Sequence, residues 1–268
     1  MHKILVNSLT KLSDDLQKNN LLEKLSKTFK AYYNVIPRFG VELEFYLSEN
    51  IDIERFKHLM SIDVKKERGI NQYEIVVAPS SDLTNYAFQI TALKQKIKDI
   101  SEELAGVANL AAKPFINDYG NSIHFNLSIG NKIDLLTEAA RNLCHYMLDT
   151  YYIFMPEKED YLRSIAGFLA PTHVCYGGNN RTVAIRIPNS FPLRLEHRLS
   201  SPNVDPYLAM TTILHSILLG LQSARTTDSF SKIYGNAYDT QYKLMKLPSS
   251  IEQAISLFKI NFFEKELY

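Results

Sequence analysis

GVELEFYL, residues 40–47, sets two glutamates one residue apart inside an apolar run. Side chains alternate along a strand, so Glu42 and Glu44 share one face while Val41, Leu43 and Phe45 occupy the other. On a face turned to water this is ordinary. In an interior it calls for a nearby cation, because an unpaired buried carboxylate is costly enough to shift its pKa or recruit a partner. The other strand-like segments repeat the pattern. Gln72 and Glu74 share a face in NQYEIVV, as do His124, Asn126 and Ser128 in SIHFNLS, and Arg194, Glu196 and Arg198 in LRLEHRL. In RTVAIRI the aligned residues are Thr182, Ala184 and Arg186, with Arg181 at the start. No lysine stands at these positions. Carboxylates with one imidazole suit a hard divalent cation such as Mg²⁺ or Mn²⁺, and arginines suit phosphate and carboxylate groups. The pattern points to a polar funnel where metal ions meet an anionic, phosphorylated ligand.

Around these strands the apolar spacing turns helical. Leu12, Leu16, Leu21, Leu22, Leu25 and Phe29 predict one or two helices between Leu9 and Tyr33, broken at Lys18-Asn19-Asn20 and ending before Pro37. Further helices are expected from about Ser81 to Leu110, from Leu135 to about Phe154, and from Asp205-Pro206 onward, where a capping aspartate precedes a first-turn proline. NQYEIVVAP reads as a strand closed by Pro79, and AAKPFINDYGN as a loop. The simplest organisation is one α+β domain with a mainly antiparallel sheet over residues 37–268, preceded by a helical segment over 1–36.

Composition narrows the function. The 268 residues carry 46% hydrophobic and 22% charged residues and a formal net charge of +1, an ordinary globular composition that gives no reason to expect a nucleic-acid or membrane partner. Cys144 and Cys175 form no CxxC or ladder of spacings, so a disulfide framework is not expected and a reducing, cytoplasmic setting fits.

The motifs carry a family order. From Pro37 to Leu221 the chain resembles the catalytic domain of glutamine synthetase and its γ-glutamyl-amine ligase relatives. The family's E-x-E strand matches VELEF. Its E-x-G-P-G-Q-x-E segment matches ERGINQYE, with Ile70 and Asn71 replacing the proline and second glycine. Its lysine-proline and G-S-G-M-H-x-H elements match AKPFINDYGNSIHFN, and its P-x-x-N-S-Y-x-R loop aligns with PEKEDYLR. The A-P and N-R elements match LAPTHVCYGGNNRTVAIRIP, and the R-x-E-x-R ending matches RLEHRLSSPNVDPYL. LPSSIEQAI resembles the family's C-terminal feature, which implies an intact though shortened end.

The resemblance implies a large curved, mainly antiparallel sheet with flanking helices, an architecture shared with guanidino kinases. It implies one metal site from Glu44, Glu67 and Glu74 and another from Glu42, His124 and Glu196, holding Mg²⁺ or Mn²⁺ with ATP as co-substrate. Arg163, Arg198 and Gly120 would hold the substrate, Arg181 and Arg186 would act on the transferring phosphoryl group, and Asn126, Ser128 and Arg194 would serve the nucleotide. The family chemistry activates a carboxylate as an acyl phosphate that an amine then attacks.

Three departures bear on this. Leu169 stands where the family places the glutamate that deprotonates the attacking ammonium, and a leucine accepts no proton. Tyr119 replaces an asparagine that contacts substrate glutamate, and Asn126 replaces the second histidine of H-x-H. The family's N-terminal β-grasp domain has no counterpart in the helical text before Pro37, so a smaller homo-oligomer or a partner supplying that face is expected. Three readings stay open: a ligase of small-molecule carboxylates and amines in which an amine of lower pKa than ammonia evades the need for the base or His173 or Tyr119 replaces it, a non-catalytic nucleotide- and metal-binding regulator, and a phosphotransferase with another acceptor.

Overall fold

The structure, a computed structural model, describes residues 2–165, 167–223 and 230–264, with side chains from Ser8 onward. Two helices come first, α1 (His2–Lys18) and α2 (Leu21–Tyr33), and the described residues before Arg38 contain no strand. Strand β1 (Arg38–Leu47) is followed by α3 (Ile53–Met60), β2 (Val64–Lys66), β3 (Gln72–Ser80), α4 (Leu83–Glu103) and β4 (Ala108–Asn109). Then come β5 (Ile123–Ser128), α5 (Ile133–Phe154), β6 (Tyr176–Gly177), β7 (Ile185–Arg186) and β8 (Leu195–His197). The chain continues through α6 (Pro206–Gln222), β9 (Lys232–Ile233) and α7 (Ile251–Leu257).

Helix α6 is the hub of the helical layer. Its start is set by Asp205, whose side chain accepts from the Leu208 amide, and by Pro206 in the first turn. Residues from Pro206 to Gly220 are buried on every side, as expected of a helix apolar all round. Helices α2, α4 and α5 pack against it, and Tyr207 donates from its hydroxyl to the Leu16 carbonyl while accepting from the Leu22 amide. This layer covers one face of the sheet, where Phe39, Val41, Leu43 and Phe45 of β1 and Ile123, Phe125 and Leu127 of β5 are buried. The opposite face carries the polar set: Glu42 and Glu44 on β1, His124 and Asn126 on β5, Glu196 on β8.

The strands run in the order β2-β3-β1-β5-β8-β7-β6-β9, with β4 pairing the end of β1. All pairings are antiparallel except β6 with β7 and β6 with β9, which are parallel. The expected curved sheet is corrected here: the strand path is open, neither curled nor closed, and its two ends, β2 and β9, do not pair with each other. Those end strands are three and two residues long, too short to extend a ladder round into a closed wall. Register brings the polar residues together. Glu42 faces His124, Glu44 faces Glu74, and Glu196 faces Asn126 on one side and Arg186 on the other.

Two local expectations also change. Helix α4 stops at Glu103 rather than Leu110, because Ala105 turns to positive φ and the chain reverses, with the Ala108 amide donating to Ser101 Oγ. Of RTVAIRIP only Ile185 and Arg186 pair as strand. Its first residues form a turn in which the Thr182 amide and hydroxyl both donate to Asn180 Oδ1.

Candidate active site

Three ligand-type side chains converge where β1, β5 and β8 lie side by side. One ligand atom from each of Glu42, His124 and Glu196 falls within 4.8 Å of the others. His124 Nδ1 is 3.4 Å from Glu42 Oε2 and 3.6 Å from Glu196 Oε1. Such separations match two ligand bonds of about 2.0–2.5 Å each to a divalent ion, and two carboxylates with one imidazole are the donors a Mg²⁺ or Mn²⁺ ion takes. The residues therefore fit the ion.

Glu196 is 1% exposed and has two further partners. Arg186 Nη1 donates to its Oε2 and Arg198 Nη1 to its Oε1. Burial alone would raise its pKa, but Arg198, His124 and Arg186 outweigh burial and hold the carboxyl down at about 2. Burial likewise opposes ionisation of Glu42, yet His124, with help from Asn126, holds it below the usual carboxylate range. Asn126 Nδ2 donates to Glu42 Oε1 at 3.1 Å.

The second carboxylate set is placed differently. Glu44 and Glu74 pair across β1 and β3, and Glu67 lies just before β3. Glu44 Oε2 accepts from Ser122 Oγ, and Glu67 Oε2 accepts from the Arg68 amide. Glu74 is pushed up to about 8, by burial first and then by the charges of Glu42, Glu44 and Glu67. The three are electrostatic neighbours, but among the described residues only Glu42, His124 and Glu196 come together as a ligand group.

Beside them a cleft opens, lined by Glu44, Glu67 and His124 together with Arg68, Arg163, Arg181 and Arg198. Tyr119, Phe168, Leu169 and Ala170 form an apolar wall. Arg163 is 4% exposed and sits at the end of a 3-10 turn, donating to the carbonyls of Leu199 and Arg198, so it is no solvated surface arginine. Arg198 Nη2 also reaches the carbonyls of Leu169 and Arg181. Arg181 itself is exposed at the rim. Gly120 leaves no room for a side chain: a Cβ there would lie 2.6 Å from the Ala112 carbonyl oxygen and 2.9 Å from Arg163 Cγ. Leu169 takes a φ of 60°, a left-handed conformation that costs a leucine energy.

Residues 58–267 match the glutamine synthetase catalytic domain family. The chain belongs to that family. It is 26% identical over 299 residues to gamma-glutamylputrescine synthetase PuuA of Escherichia coli (strain K12), covering 91% of this chain and 62% of that protein. With the glutamine synthetase of Sulfolobus acidocaldarius it shares 27% over 209 residues, 66% of this chain and 42% of that one. The chain thus spans less than two thirds of the length of these curated relatives, 62% of one and 42% of the other. Two solved GmaS structures share the fold at 20% identity. One, with ADP, has a TM-score of 0.73 over 88% of this chain and 66% of that chain; the other, without ligand, reaches 0.75 over 90% and 66%.

Set against the glutamine synthetase motifs, the residues fall into groups. Glu42, His124 and Glu196 meet as a ligand triad, while Glu44, Glu67, Gly120, Arg163, Arg181 and Arg198 share the cleft. Arg186 is bound to Glu196 and to Asn179. Asn126, Ser128 and Arg194 run toward the other end of the strands. Arg194 Nε donates to Asn126 Oδ1 at 3.2 Å, and Ser128 lines a separate pocket with Arg38 and Pro192. Tyr119 lines the cleft edge-on to Phe168, whereas His173 lies on an isolated bridge to Lys246 and does not line it.

Sequence reasoning placed Gln72 on the polar face without giving it a role, and missed Asn121. Gln72 Nε2 donates to the Gly120 carbonyl at 3.0 Å, and Asn121 Nδ2 donates to the carbonyls of Asn109 and Ala111, so the two hold the loop before β5. Ser122, between Glu44 and His124, was also missed. Its signal was parity, since it stands two residues before His124.

Proposed function

We propose that the chain is an ATP- and divalent-metal-dependent ligase that joins a small-molecule carboxylate to an amine through an acyl phosphate. The observation that carries this is the junction of the Glu42, His124 and Glu196 triad with a cleft bearing four guanidiniums. A bound ion would supply charge neutralisation at the transferring phosphoryl group. Glu42, His124 and Glu196 would hold it. Arg181, free at the rim, meets the nucleotide's phosphates, and Arg163 adds positive field to the cleft floor. Buried Nε atoms of Arg186 and Arg198 have no hydrogen-bond partner, and an anionic ligand would satisfy them. The expected second ion, on Glu44, Glu67 and Glu74, would require those side chains to turn toward one another.

The amine must reach the acyl carbon uncharged. Leu169 offers no acceptor on the apolar wall, which favours weakly basic amines, or Tyr119 as a proton relay. The same observation favours a second reading, a regulator that binds nucleotide and metal without ligation. Incubation with ATP, Mg²⁺, glutamate and a panel of ammonium, alkylamines and weakly basic amines separates the two. Phosphate release coupled to a new amide supports the ligase. ATP binding without turnover, unrescued in Leu169→Glu, supports the regulator, and no nucleotide or metal binding sinks both. We further propose a homo-oligomer or a partner chain that completes the cleft's open side.

A further inference from the structure

Ser122 directly precedes β5, is 1% exposed, and stands opposite Glu44 in the continuation of the β1–β5 ladder. Its hydroxyl oxygen lies 2.7 Å from Glu44 Oε2 and 2.8 Å from His124 Nε2. A hydroxyl has one proton to donate. The Ser122 hydroxyl gives that proton to Glu44 Oε2. The contact with His124 then holds only if Nε2 carries a proton and donates it to Ser122 Oγ. Reversing the direction would bring two lone pairs together at 2.7 Å and place a proton on Nδ1, the nitrogen that faces Glu42 and Glu196.

We propose that Ser122 is a positioning residue that fixes the Nε2–H form of His124, turning the Nδ1 lone pair to a divalent ion shared with Glu42 and Glu196. The inference rests on the divalent-ion reading of that triad. One hydroxyl also ties Glu44, from the second carboxylate set, to the imidazole of the first, so the two groups are held in a common orientation. A metal-ligating histidine whose other nitrogen is fixed by a hydrogen bond binds its ion more tightly, and loss of such a support costs about 10–100-fold in affinity.

The test uses the full chain with Mn²⁺ alone, measuring the dissociation constant by water-proton relaxation. Nitrogen-15 spectra of the Mg²⁺-loaded protein report which ring nitrogen carries the proton. Ser122→Ala is expected to weaken Mn²⁺ binding by about 10–100-fold, with an unfolding midpoint in chelator close to wild type. Ser122→Thr, which keeps the hydroxyl, is expected to retain most of the affinity. Equal affinity in wild type and Ser122→Ala, or a proton found on Nδ1 in the loaded protein, overturns this inference alone. So does equal loss in the threonine and alanine variants, because the hydroxyl would then not be the operative group. A wild-type chain that does not bind Mn²⁺ overturns the triad reading and this one with it.

Discussion

Replacing Glu196 by glutamine asks what balances the buried charge beside His124. The wild-type carboxylate is 1% exposed and receives one guanidinium on each oxygen, from Arg186 and Arg198, whose side chains are 13% and 5% exposed. Without that charge the two guanidiniums face each other in the interior. Breaking a buried pair by removing one partner costs about 3–5 kcal/mol, because the remaining charge is left desolvated. In a chain of this size 1 kcal/mol moves Tm by about 2–4 °C, so Glu196→Gln should lower it by on the order of 10 °C. The assay is thermal and urea unfolding at pH 7 in chelator, where no divalent ion contributes. Arg198→Met should also destabilise, and the double variant should lose less than the sum, since the two residues share one interaction. A Glu196→Gln midpoint within about 0.5 kcal/mol of wild type, the range typical of neutral surface changes, would refute the argument and mean that the two guanidiniums do not depend on the Glu196 charge for their balance.

Gly120→Ala should cost about 1–3 kcal/mol through overpacking against Ala112 and Arg163 and should weaken nucleotide-dependent activity, both read from unfolding and phosphate-release assays. Saturating Mn²⁺ at about 100 times its dissociation constant should stabilise the wild type by about 2.7 kcal/mol, and His124→Ala should abolish that gain. Lys94 donates to the Val204 carbonyl, and burial, against the pull of Asp205, holds its pKa down at about 8 against an ordinary 10.5. Between those values the unfolded chain binds more protons than the folded one, so stability should rise with pH from about 8 to 10.5, and Lys94→Met should flatten that slope in urea titrations.

Much of the site was legible because alternation is a local rule. Glu42 and Glu44, or His124 and Asn126, share a face whatever the rest of the chain does. Helix α6 was equally plain, since its cap, its proline and its apolar run act within a few residues. Helix α3 went unread although Asp52 caps it by accepting from the Glu54 and Arg55 amides, because its few apolar residues gave too short a period. The open form of the sheet was not readable either. It depends on which strands end the path and how short they are, and a family likeness carries neither.

By itself the sequence determined the sides on which the charged residues lie and the family order of the motifs. Tertiary structure alone decided which charges meet. Register across β1, β5, β8 and β7 set His124 opposite Glu42, and Arg186 opposite Glu196, while leaving Glu44, Glu67 and Glu74 as neighbours short of a ligand group. The physical reason is range: side-chain alternation is fixed within two residues, whereas the cross-strand partner of a carboxylate comes from another strand, 10 residues away for Arg186 and Glu196 and 82 for His124 and Glu42, and only the folded sheet chooses it.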